Sequence, residues 1–144
     1  ENYTATFDVP YEPGTLKAVN SKGKEEFVLK TAGAPAAIRL IADRSKIKAC
    51  KNDLSYVKIE LVDKNGNVVP ETSLPVKIEC TGKGTVIAGG NAAYADMESF
   101  RSLTPNTFRG KAIAIVQPDG EKGDIQVKVS AKGLEDASIV ITTY

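Results

Sequence analysis

Histidine and tryptophan are missing from this 144-residue chain, methionine occurs once and cysteine twice. The lack of histidine removes the Ser-His, Cys-His and His-metal arrangements on which many hydrolases and metalloenzymes depend. Two thiols, Cys50 and Cys80, cannot complete a cysteine zinc set and permit at most one disulfide. An excess of charge is also lacking. Lys and Arg number 19 against 18 Asp and Glu, so no strong field gathers nucleic acid or another polyanion. No apolar run approaches the roughly 20 residues that span a bilayer, and the first residues carry no basic-then-apolar leader, so the reading is a soluble chain without membrane insertion. The length suffices for one ordinary hydrophobic core, with or without a fragment of a neighbouring domain.

What the chain has in quantity is period-two alternation, the pattern of a strand with one face in a core and one in water. Val57, Ile59 and Leu61 alternate with Lys58 and Glu60, which predicts a strand over Tyr56 to Asp63. Val76, Ile78 and Cys80, and then Ile125, Val127 and Val129, predict two more. Further strands are expected at 37–42, 46–49, 85–88, 111–117 and 137–143, separated by the turn signals Asn65-Gly66, Pro118-Asp119-Gly120 and Lys132-Gly133. Eight short strands in a row predict an all-β sandwich. A boundary is expected near Thr31 to Pro35, giving residues 34–144 as the sandwich and 1–33 as the last strands of a preceding β-domain plus a linker. Within that first part strands are expected at Tyr3 to Val9, Thr15 to Val19 and Glu26 to Lys30, with a hairpin turn through Asn20, Ser21, Lys22 and Gly23. The one place for a turn or two of helix is Ala95 to Leu103, limited by Pro105.

Motifs that carry chemistry elsewhere are incomplete here. Asp96 and Glu98 are the best carboxylate pair for glycoside hydrolysis, but their loop has no histidine, arginine cluster or aromatic wall to shape a site. Asp63, Asn65 and Asn67 imitate the start of a calcium loop. The positions that need a glycine and a closing glutamate hold Val68 and Leu74, so a hairpin turn is expected. Asp119 to Asp124 is rich in carboxylates and is read as a turn first, with a surface calcium site as the alternative. Gly82-Lys-Gly84 and Gly89-Gly90 lack the spacing and the following helix of a phosphate cradle. No catalytic residue, metal ligand or cofactor site is therefore assigned. Strand parity groups Cys80 with the inward Val76 and Ile78 and Cys50 with Lys46 and Lys48, so a disulfide requires the strand end to twist. The alternative is two free thiols.

Two groups of residues resemble known families. The run Ile38-Arg-Leu-Ile-Ala-Asp-Arg-Ser-Lys-Ile-Lys-Ala49, followed by Asp53 to Pro70, resembles the opening strands of bacterial invasin-like immunoglobulin domains. Val9-Pro-Tyr-Glu-Pro-Gly-Thr-Leu-Lys-Ala-Val19, Lys30-Thr-Ala-Gly33, Glu98-Ser-Phe100 and Phe108-Arg-Gly110 together resemble the C-terminal region of family 2 glycoside hydrolases, in particular Bacteroides-type β-galactosidases. The first resemblance implies an immunoglobulin-like fold, and the second a parent that cleaves terminal β-linked galactose or a related sugar and is exported to the periplasm or beyond. The second also implies a catalytic pair of glutamates in an upstream barrel outside this chain.

Three functions follow as expectations. The first is a non-catalytic accessory domain packing against upstream domains of its own chain. The second is a carbohydrate-binding module, for which Tyr94, Phe100, Arg101 and Phe108, in and around the long loop 91–107, are the ligand-contact candidates. The third is a surface-adhesion domain. An exposed coplanar Tyr94 and Phe100 would favour binding, and buried ones a spacer.

Overall fold

Alternation becomes strand only where a second segment supplies the other half of a hydrogen-bonded ladder, and the computed structural model shows where that happens. It describes residues 4–20 and 22–144, which fall into two compact units, Glu1–Thr31 and Ala32–Tyr144.

In the first unit, β1 (Thr15–Val19) and β2 (Glu26–Lys30) form an antiparallel hairpin. Leu16 pairs with Leu29 and Ala18 with Phe27, so one face of the ribbon is wholly apolar. Lys17 and Glu26 make an ion pair on the other face. Asn20 closes the turn, its side-chain oxygen accepting from the backbone of Lys22 (3.2 Å) and Lys24 (3.1 Å). Ser21 lies outside the described residues, as does Tyr3 at the start of the expected first strand. Residues 4–9 are not strand, contrary to that expectation. The ladder of this unit has two members, and no third segment extends it among the described residues.

The second unit is a sandwich of two four-stranded sheets. One contains β3 (Pro35–Ala42), β5 (Ser55–Asp63), β8 (Lys111–Pro118) and β7 (Gly84–Gly90), in that spatial order. The other contains β4 (Lys46–Ile47), β10 (Ala137–Thr143), β9 (Gly123–Ser130) and β6 (Lys77–Gly82). All neighbours are antiparallel except the short β4–β10 pair. Large residues of β5 face small ones of β8, Val57 opposite Ala114 and Ile59 opposite Ala112, which leaves room for Ile78, Ile125, Val127 and Ile141 from the opposing sheet. Each such side chain contributes roughly 1.5–3 kcal/mol by leaving water. No helix forms at 95–103. Two tight turns, Asp96 N–H to Ala93 and Ser102 N–H to Ser99, take its place.

Both thiols are free. Cys50 is exposed and Cys80 half-buried, where burial pushes its thiol pKa up.

Strand direction sorts the loops of this unit by end. Pro35 pairs with Asp63, Glu60 with Lys111, and Gly90 with Ile113, so the start of β3, the end of β5, the start of β8 and the end of β7 share one end. The single residue Lys83 joins β6 to β7 at the opposite end, where Ala49 N–H also meets the Tyr144 carbonyl.

Candidate functional site

The end that carries Pro35, Asp63, Gly90 and Lys111 also carries the long loop 91–107, and its polar groups brace the loop from within. Asn91 donates to Asp96 (at 2.5 Å) and to the Asn106 carbonyl (2.9 Å), and accepts from the Ala93 N–H (2.7 Å). Asp96 also accepts from the Glu98 N–H (2.9 Å). Glu98 accepts from the Asn106 side chain (2.6 Å) and backbone (3.3 Å). Asp96 and Glu98 are thus bound by their own loop.

With the polar groups so engaged, the apolar ones face water. Tyr94 is 99% exposed and Met97 96%, with Phe100 at 69%. The Phe100 ring lies over Gly90, where any Cβ would stand 2.8 Å from it, so the glycine makes room for the aromatic. Phe100 also lines, with Asn91, Asp96 and Glu98, a void of about 30 Å³, the size of a water molecule. Tyr94 and Arg101 line neither this void nor the larger groove beside it, and Arg101 makes no ion pair among the described residues. The structure does not bring the four ligand-contact candidates into one pocket.

The groove is larger and drier. Val68, Pro70, Ala92, Phe108, Ala112 and Ile113 wall an open depression of about 680 Å³, with Asn91, Arg109 and Lys111 at its edge. Phe108, Arg109 and Lys111 reach it from a two-residue hairpin turn, closed by Phe108 N–H to Lys111 (2.8 Å) and Lys111 N–H to Phe108 (3.0 Å). Both central residues have positive φ, 51° at Arg109 and 71° at Gly110. Such turns favour Asn-Gly, and an arginine held left-handed costs about 1 kcal/mol. Gly110 is required, because a Cβ there would sit 2.4 Å from the Val69 carbonyl oxygen. The Arg109 guanidinium stacks 5.6 Å from the Phe108 ring centre, worth roughly 0.5–1 kcal/mol at an exposed position. Phe108 itself is half-buried.

Behind the groove, Glu60 is buried on the outer face of β5 and holds Arg39 through two bonds (2.9 and 2.6 Å), with the Lys111 ammonium 4.0 Å away. Asp63 is 2% exposed and accepts from the N–H groups of Gly33 (2.8 Å), Asn65 (2.8 Å) and Asn67 (2.9 Å). The Gly33 bond, then the Asn67 side chain, hold its carboxyl well below the usual carboxylate range. The turn expected at 63–67 is present, but sequence reasoning missed that its first residue also anchors the start of the sandwich. An aspartate ending a buried strand ahead of Asn-Gly-Asn was the available signal. Equally missed was Arg109 as a turn residue, since arginine has no turn preference to betray it.

The family model described as glycoside hydrolase family 2 C-terminal domain 5 matches residues 38–140. β-Galactosidase BoGH2A of Bacteroides ovatus is 32% identical over 99% of this chain, which spans 17% of that protein. A solved family 2 glycosyl hydrolase of Bacteroides cellulosilyticus superposes with a TM-score of 0.88 at 39% identity, covering 94% of this chain and 18% of its own. A C-terminal fragment of intimin shares the fold alone, with a TM-score of 0.52 and 13% identity over 75% of this chain and 33% of its own.

Proposed function

Since the chain belongs to the glycoside hydrolase family 2 C-terminal domain 5 family, we propose that it serves as the accessory domain of a longer, exported glycoside hydrolase acting on terminal β-galactosides or related glycans. One observation carries the reading: a match over nearly the whole chain that spans only 17% of a β-galactosidase. The braced state of Asp96 and Glu98 supports a non-catalytic role, since both carboxylates hold the loop. The sheet orders β3-β5-β8-β7 and β10-β9-β6 correspond to the ABED and GFC sheets of constant immunoglobulin domains, which supports the immunoglobulin-like reading. The hairpin belongs to the preceding β-domain, because a lone two-stranded ribbon is marginal in water and its apolar face needs a cover. A periplasmic or extracellular site follows from export of the parent.

Carbohydrate binding has one observation in its favour, the exposure of Tyr94 and Phe100. Against it, Asn91, Asp96 and Glu98, which share the small void with Phe100, are engaged within the loop and so are not free to read sugar hydroxyls. The test is calorimetric titration of the chain with galactosides and plant glycans, beside an assay on a chromogenic β-galactoside. Neither heat nor turnover is expected. Saturable heat without turnover would transfer the function to binding, and turnover that survives repurification would overturn the accessory reading.

A further inference from the structure

The groove beside Arg109 combines features that the accessory role leaves unexplained. Its walls are apolar, its volume of about 680 Å³ accommodates several side chains, and Ile113 in its wall is 38% exposed. Its rim is positive. Arg109 makes no ion pair among the described residues, and Lys111 stands 4.0 Å from a Glu60 that already holds Arg39. The residue presenting that charge occupies a backbone position where asparagine would be relaxed. Stacking on Phe108 offsets the strain but leaves the edge donors of the guanidinium free to meet a carboxylate.

Chain path adds an independent argument. Asp63 binds Gly33 and also Asn67, the neighbour of the groove residue Val68. Polypeptide preceding the sandwich therefore reaches it at the groove end, while Tyr144 lies at the other. In the relatives most of the protein lies outside this region, which spans 17% of one and 18% of another, and the matching family model describes it as a C-terminal domain. A sugar fits the groove poorly, because Asn91 is engaged internally and the remaining polar groups are cations.

We propose that this groove is the seat on which the module docks an upstream part of its own longer chain, through an apolar side chain flanked by a carboxylate. The inference rests on the accessory reading and adds to it the surface and the chemistry of its partner.

The test pairs the full-length hydrolase with the 144-residue chain, whose sandwich has its own buried core. Arg109→Glu with Ile113→Lys changes two exposed side chains, and Arg109→Asn removes the charge while relaxing the turn. In the short chain, melting is expected to stay within about 2 °C for both variants. In the full-length protein, the double variant is expected to lower the module's transition by about 3 °C or more and separate it from the rest. Arg109→Asn should do so partially, and cleavage near residues 31–34 should quicken in both. A full-length melt unchanged by the double variant would overturn the proposal. So would a concentration-dependent dimer of the short chain that Arg109→Glu abolishes, since the occupant would then be a second copy. Deleting the module from the full-length protein separates the two levels. If deletion is without effect on stability, the accessory reading itself fails. If deletion destabilises while the groove variants are silent, only the docking surface is wrong.

Discussion

The two units of this chain contain the same kind of residue and treat it oppositely. In the hairpin, Leu16, Phe27 and Leu29 stand on one face and remain 51%, 67% and 54% exposed. In the sandwich, Val57, Ile59 and Leu61 occupy an equally alternating strand and are fully buried. Alternation supplies a face in both cases, and only a second sheet turns that face into a core. The difference teaches that strand formation and stability are separate quantities, the first set by local pattern and the second by what lies opposite.

The contrast breaks most visibly at Ile59. Ile59→Ala empties a site facing the second sheet and is expected to cost about 2–5 kcal/mol in urea unfolding of the 144-residue chain. A midpoint shift corresponding to less than 1 kcal/mol would mean that the sheets do not pack as described. Gly110→Ala should come next, at about 2 kcal/mol, because it combines a left-handed backbone with a collision against Val69. The diagnostic there is Gly110→Asn, which tolerates the φ but not the contact and should remain destabilising.

Asp63 sharpens the comparison by pH. Its folded pKa lies below the unfolded one of about 3.9, so its contribution is complete above that value and disappears as pH falls through the folded pKa. Urea midpoints measured from pH 7 down to pH 2.5 should decline for the native chain and decline less steeply for Asp63→Asn, which starts lower. Equal slopes would remove Asp63 from the account. Leu16→Ala in the hairpin should shift global unfolding by less than about 0.5 kcal/mol. Removing residues 1–31 should leave the sandwich's thermal midpoint within about 2 °C. A large loss in either experiment would show that the hairpin contributes to the sandwich's stability.

The strands of the sandwich were largely legible, since period two survives in β8, in β9 and from Ser55 to Ile59 of β5 as more and less buried residues in turn. Legibility stopped where the deciding partner is distant. Residues 4–9 read like a strand but do not form one, and 95–103 read like a short helix but are held by Asn91 and Asn106 at its flanks. The candidate site was legible as a loop rich in Tyr94, Phe100 and Arg101. The inward aim of its polar groups was not, because it depends on hydrogen bonds between residues up to 15 positions apart. The Gly33–Asp63 bond, across 30 positions, is invisible to any local pattern for the same reason.

The placement of Gly33 at one end of the sandwich and Tyr144 at the other has a mechanical consequence. Tension applied through those two points runs along the strands, so neighbouring strands are loaded in shear and many ladder bonds resist together. Pulled this way, the module behaves as a stiff strut, whereas the same sheets pulled from adjacent strand ends would unzip bond by bond.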